Sequence, residues 1–268
     1  MPMRIRAGAV AMTLAAALTL TAVATPAAPK KKKKRHTPTV KLVPNTKLTG
    51  ATVYGAASLS TAFPAMAPKL TYSFAGSDQL ALQIQQGAPA DVFASANVKY
   101  PNQLFRAGLV QEPRIFAYNV LVVLVPKANP AHITSVNDLA RPGVKLVIGD
   151  PTVPVGSYTR TVLHKLNLDA ALNNVVSNEP DVNGVVTKVA LGEADAGVAY
   201  WTDFLARRKQ VTSIAIPAEA QPTVAYSVAV PTNAPHASQG QAVVNYLMSP
   251  AGQRWLVHYG FRPAAPTK

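Results

Sequence analysis

Four stretches of the chain set small or flexible residues just before what reads as the first turn of a helix. They are Gly55-Ala56-Ala57-Ser58, Ala75-Gly76-Ser77-Asp78, Val153-Pro154-Val155-Gly156-Ser157 and Pro180-Asp181-Val182-Asn183-Gly184. The N–H groups of a first turn have no partner within the helix, and the macrodipole adds positive potential there. Such a turn suits an anion. Small residues let an oxyanion approach the backbone closely, and Ser58 and Ser77 add hydroxyl donors. At any single junction, ordinary N-capping accounts for the same residues, because Ser, Thr and Asp are favoured at caps. Recurrence at four places points further toward an anion, without naming it.

Other chemistries are poorly supported. The chain has no cysteine, which excludes disulfides, thiolate metal sites, a Cys nucleophile and a lipid anchor on a mature N-terminal Cys. The histidines, at 36, 132, 164, 236 and 258, form no pair at metal-ligand spacing, so no metal site is expected. There is no G-x-S-x-G elbow and no Ser-His-Asp arrangement. A secreted hydrolase using Ser58 or Ser77 stands as an alternative, but it lacks a base at a recognisable spacing.

The elements that would hold these junctions follow from the apolar pattern. Strands are expected at Ala51 to Gly55, Leu70 to Phe74, Asp91 to Ala94, Asn119 to Val125, Lys145 to Ile148, Gly197 to Tyr200, Ser213 to Ile216 and Val224 to Val230. Helical spacing joins Leu59, Phe63 and Met66, then Leu80 and Ile84 up to Gly87, then Val162, Leu163 and Leu166. Further helices are expected at 182–191, stopped by Gly192, and at 237–248 and 250–258. Strand–helix alternation implies a mainly parallel α/β sheet, whose ligand sits at the carboxyl ends of the strands.

The charge of the chain misleads at first sight. Its 268 residues carry 26 Lys and Arg against 12 Asp and Glu, a formal +14 that suggests a nucleic-acid or membrane partner. Ten of the positive charges, and no acid, fall in residues 1–50; the rest of the chain has 16 against 12, a net of +4. Residues 1–24 have the layout of a secretory signal peptide: Arg4 and Arg6, the apolar stretch 7–23, and Ala22-Val23-Ala24 before a cut near Ala24. Residues 25–50, rich in Lys, Pro and Thr, read as a disordered leader. Its run Lys30 to Arg35 reads as a solvated tail. Adhesion to an anionic surface, or nucleic-acid binding, through this run is a further alternative.

The folded region resembles a known family. VYGAASLSTAF (53–63), YSFAGSDQLALQIQQGAPADVFASA (72–96), VIGDPTVPVGSYTR (147–160) and PDVNGVVTKVALGEADAGVAYWTD (180–203), with NVLVVLVPK, AYSVAV and YLMSPAGQRWLVHYGF, look like the molybdate-binding proteins of bacterial molybdate ABC transporters. The resemblance covers residues 51–262. It implies the type II periplasmic binding-protein architecture, in which two doubly wound α/β domains are joined by a hinge. Domain I would comprise 51–120 plus 225–268, and domain II 121–224. The ligand would be molybdate or tungstate held between the domains, with no cofactor and no enzymatic step. The partner would be a membrane ABC permease, and the protein a monomer without nucleic acid, in the periplasm or otherwise outside the cytoplasm.

Carried over by motif, Ser58 and Ser77 would donate through hydroxyl and backbone N–H, Val155 and Val182 through backbone N–H, and Tyr200 through its phenol. These residues would contact the oxyanion and would not ligate the metal atom. A site made only of donors suits an anion that carries no proton and disfavours protonated phosphate. Sulfate passes that test and is the alternative ligand, separable only by size.

Three positions depart from the family pattern: Val155, where Ala is frequent; Asp78, expected to turn away and cap its own helix at 79–81; and Ser227, in a segment where Pro is common. The remaining polar residues read as structural. Arg160 is expected at the surface, Asp91 as orienting its loop, Asp150 as fixing the turn after its strand, and Arg207-Arg208-Lys209 as a solvated loop that could touch a permease. Tyr54, Tyr72, Trp201 and Trp255 read as packing, and Ser157 and Tyr158 as beginning a helix.

Overall fold

The computed structural model describes residues 42–264. The signal peptide and the Lys30 to Arg35 run lie outside the described residues. The last part of the expected leader, 42–50, packs on the fold. Leu48 is buried in the core, Leu42 lies against it, and the Asn45 N–H donates to the Met66 carbonyl at 2.8 Å.

The chain first lays down β1 (Thr52–Ala56), α1 (Ala62–Met66), β2 (Thr71–Ala75), α2 (Ser77–Gln85), β3 (Val92–Ser95), α3 (Lys99–Arg106) and β4 (Arg114–Asn119). Val120 then carries it to a second sheet. There it builds β5 (Leu121–Pro126), β6 (Leu146–Gly149), α4 (Pro154–Lys165), β7 (Val175–Glu179), α5 (Val182–Leu191), β8 (Ala196–Tyr200), α6 (Trp201–Arg207) and β9 (Val211–Ala215). Residues 216–223 bring it back for β10 (Val224–Ala229), α7 (Ala237–Met248), α8 (Pro250–His258) and β11 (Arg262–Pro263).

The first sheet has the order β11-β4-β10-β3-β1-β2, the second β7-β6-β8-β5-β9. The expectation of a mainly parallel sheet is corrected: both sheets are mixed. In each, three parallel strands (β2, β1 and β3; β7, β6 and β8) are flanked by antiparallel ones. The cause is the crossing between sheets. The strands that enter a sheet from the other one, β5 and β10, do so without a crossover α-helix and run antiparallel to their neighbours.

The apolar run Asn119 to Val125 is likewise two strands, since Asn119 ends β4 and Leu121 starts β5. Every residue of β5 is buried, as a strand covered on both faces requires. Gln221 clamps the two crossings together. Its Oε1 accepts from the Leu121 N–H at 3.1 Å, and its Nε2 donates to the Leu121 carbonyl at 2.7 Å.

Leu59, Phe63 and Met66 are buried as expected, but the helix that carries them is broken. A 3-10 turn covers Ala57–Leu59, and α1 begins only at Ala62. The helices at 237–248 and 250–258 stand where expected. Gly192 ends α5 at φ +73°, a conformation that glycine adopts without steric cost. Among the described residues no helix is long and apolar enough to cross a membrane.

Candidate functional site

All four junctions meet at one place. The carboxyl ends of β1, β2 and β3 in one sheet and of β6, β7 and β8 in the other converge on a cavity with about 10 Å³ of room for the centre of a water-sized sphere. Its wall includes all five residues expected from the sequence: Ser58, Ser77, Val155, Val182 and Tyr200. Much of the rest is small, notably Ala56, Ala57, Ala75, Gly76 and Ala96. Among the described residues, no lysine or arginine lines it.

Each junction presents donors in its own way. Ser77 is the first residue of α2 after the cap residue Gly76, and Val155 follows Pro154 at the start of α4. Proline suits that place because its missing N–H would have had no partner there. At α5, the Asp181 carboxylate caps the helix by accepting from the Asn183 N–H at 2.7 Å and the Gly184 N–H at 3.2 Å. Those bonds leave the Val182 N–H as the first-turn donor next to the cavity. Ser58 differs from expectation in lying within the short 3-10 turn and not at the start of a long helix.

Both serine hydroxyls already have a partner within the protein. Ser77 Oγ accepts from the Ala96 N–H at 3.0 Å, and Ser58 Oγ lies 2.8 Å from Tyr226 Oη. Neither is paired with a histidine or a carboxylate.

Tyr200 is 1% exposed, and its Oη is one of two buried side-chain polar atoms without a partner among the described residues. Burial, reinforced by Tyr226, Tyr158 and Asp203, pushes the Tyr200 phenol well above its ordinary range. The group therefore remains an O–H donor. Its backbone N–H is held by the Asp203 carboxylate at 3.0 Å. Burial raises that carboxyl to about 7, against the lowering effect of this hydrogen bond.

The junctions also touch one another across the cleft. Asp78 does not cap its own helix, which corrects the expectation. Its Oδ2 accepts from Thr152 Oγ1 of the other sheet's junction at 2.8 Å, and its Oδ1 is the second buried atom without a partner. Tyr100 Oη donates to the Thr152 carbonyl, and Asn183 Nδ2 reaches the Ala57 carbonyl at 3.4 Å. At Gly76 a side chain would not fit, because an added Cβ would stand 2.5 Å from the Pro180 carbonyl oxygen.

Asp150 fixes its turn as expected, accepting from the Thr152 N–H at 3.2 Å. Asp91 accepts from the backbone of Thr52 and of His236, which ties its loop down. Arg160 is not a plain surface residue. Its guanidinium donates to the Gly149 and Gly156 carbonyls and to Asn178, bracing the start of α4 from outside the cavity. Ser227 lies in β10, buried, at the point where the register with β4 shifts. Arg207, Arg208 and Lys209 are exposed.

Sequence reasoning missed Asn119, Thr152 and Tyr226. A signal was available for Tyr226: a tyrosine within an apolar strand must find a partner for its hydroxyl.

Comparisons with known proteins agree with this geometry. Residues 51–262 match the family model described as bacterial extracellular solute-binding protein. The molybdate-binding protein ModA of Mycobacterium tuberculosis is 36% identical over 219 residues, covering 78% of this chain and 83% of that protein. The molybdate-binding protein ModA of Haemophilus influenzae is 31% identical over 226 residues, with coverage of 78% and 89%. The solved periplasmic molybdate-binding protein of Azotobacter vinelandii superposes with a TM-score of 0.73 at 20% identity, covering 81% of this chain and all of that one, and so shares the fold.

Proposed function

The chain belongs to the bacterial extracellular solute-binding proteins, and we propose that within this family it captures molybdate or tungstate between its two sheets and hands it to a membrane ABC permease. The observation that carries this reading is the Tyr200 hydroxyl, buried at the cavity wall with no partner among the described residues. A protonated phenol held there costs stability unless an acceptor arrives. The serine hydroxyls, the Val155 and Val182 N–H groups and this phenol make a wall of neutral donors. Such a wall can hold a proton-free dianion without a cationic side chain, as oriented dipoles do at helix N-termini.

On this reading the two sheets are the two domains, 51–120 with 225–268 and 121–224, hinged at the crossings that Gln221 ties together. The contacts of Asp78 with Thr152 and of Asn183 with Ala57 belong to the closed form. Closure excludes water and strengthens each bond to the anion. The protein acts outside the cytoplasm, as a monomer, with no cofactor and no covalent step. Residues 1–24 direct its export.

Isothermal titration of the chain with molybdate, tungstate, sulfate and phosphate tests this. We expect one site per chain, molybdate and tungstate tight, and sulfate orders of magnitude weaker. Preference for sulfate would assign a different oxyanion, and no binding of any oxyanion would end the reading.

A further inference from the structure

Ser58 Oγ and Tyr226 Oη form a buried hydroxyl pair at 2.8 Å, in which either oxygen could carry the shared proton. Asn119 decides the direction. Its Oδ1 accepts from the Val120 N–H at 2.9 Å, which fixes which end of the amide is which. The NH2 end then reaches Thr202 Oγ1 at 2.9 Å and Tyr226 Oη at 3.4 Å. An amide N–H can only donate. Tyr226 Oη therefore accepts from Asn119, and its own proton points to Ser58 Oγ. Ser58 in turn accepts from Tyr226, and its proton is left for the cavity that its side chain lines.

The relay is built into the chain crossing. Asn119 is the last residue of β4, Tyr226 lies on the neighbouring strand β10, and Thr202 belongs to α6 on the second sheet. Phe116, Tyr200 and Phe261 pack edge-on against the Tyr226 ring, with centroids 6.0, 5.9 and 5.3 Å away, and hold it in place. Burial keeps the phenol protonated.

We infer that Tyr226, oriented by Asn119, is a positioning residue that locks Ser58 as a donor and thereby sets the discrimination against protonated oxyanions. The inference rests on the oxyanion reading above. With Tyr226 in place, Ser58 offers its proton to the cavity and spends acceptor capacity on the phenol. Without it, the hydroxyl can rotate, and its freed lone pair can accept from an anion that still carries a proton.

The test is Tyr226→Phe in the full chain, titrated with molybdate and with inorganic phosphate at mildly alkaline pH, where phosphate keeps one proton. Molybdate should weaken about 3- to 10-fold, the effect of one hydrogen bond. Phosphate should hold its affinity or gain, so that the ratio between the two falls. In a Ser58→Ala background, Tyr226→Phe should move molybdate affinity by less than about twofold, because the relay has lost its end. Should Tyr226→Phe fold poorly, Asn119→Leu, which removes the orienting donor at similar volume, should shift the ratio the same way. Equal losses for both anions, or an undiminished effect in the Ser58→Ala background, would reduce Tyr226 to a packing role. Wild-type protein that binds no oxyanion would instead remove the reading on which the inference rests.

Discussion

Replacing Tyr200 by Phe removes one oxygen atom and should move binding and stability in opposite directions. In the closed arrangement the Tyr200 hydroxyl is buried, 1% exposed, and has no partner among the described residues. An unsatisfied buried hydroxyl costs about 1–3 kcal/mol. Phenylalanine keeps the ring and its 5.9 Å edge contact with Tyr226 while removing that cost. At about 2–4 °C per kcal/mol for a chain of this size, the variant should melt a few degrees higher without ligand wherever the unliganded protein keeps this closed arrangement. With the dianion bound, the same hydroxyl donates to a charged acceptor, a bond worth about 1.5–3 kcal/mol. Its loss should weaken molybdate about 10- to 150-fold. Calorimetry gives the affinity, and melting with and without saturating molybdate gives both stabilities. The ligand-induced shift should shrink although the ligand-free melting point rises. Unchanged affinity would refute the role of Tyr200, and a lower ligand-free melting point would show that its hydroxyl already had a partner.

Other outcomes follow from the same geometry. Ser77→Ala should weaken molybdate by about 1–3 kcal/mol in calorimetry, and should also lower ligand-free stability, because the Ala96 N–H loses its acceptor. Gly76→Ala would set a methyl group 2.5 Å from the Pro180 carbonyl. Titration and melting should then show weaker binding with a nearly unchanged melting point, because the clash separates the junctions and leaves each sheet intact. Asp203 has a folded-state value of about 7 against an ordinary 3.8. The native state therefore keeps a proton that the unfolded chain releases, and stability falls as pH rises between about 4 and 7. The difference sets a ceiling of about 4 kcal/mol on that loss. Asp203→Asn keeps an acceptor for the Tyr200 N–H and should flatten this part of the stability–pH profile in denaturant melts.

The sequence was most informative where local chemistry is punctuated. Gly192 stops α5 at positive φ, Pro250 opens α8, and the small residues before Ser77, Val155 and Val182 mark strand-to-helix junctions whose ends must lie on one side of a sheet. It was least informative where packing decides without punctuation. Nothing in the residue pattern of Asn119 to Val125 signals that Val120 leaves one sheet for another, because Asn119 alone belongs to β4 and the apolar residues after it run unbroken into the buried β5. Strand β7 alternates exposed and half-buried residues along a sheet edge, and helix α6 starts directly from Tyr200 without an N-capping Ser, Thr, Asp or Asn. Neither was expected. The contacts of Asp78 with Thr152 and of Asn119 with Tyr226 join residues 74 and 107 positions apart, which only the assembled fold can bring together. The basic charge proved uninformative about the site, whose wall has no cationic side chain among the described residues.

The central claim is that a pocket of neutral donors between the two sheets holds a dianion. An experimental structure of the chain with molybdate, located by the anomalous signal of molybdenum, tests it most directly. One molybdenum is expected in the cavity, with its oxygens about 2.6–3.1 Å from the Ser58 and Ser77 hydroxyls, the Val155 and Val182 N–H groups and Tyr200 Oη. Molybdenum found instead against the exposed Arg207, Arg208 and Lys209, with the cavity empty, would contradict it.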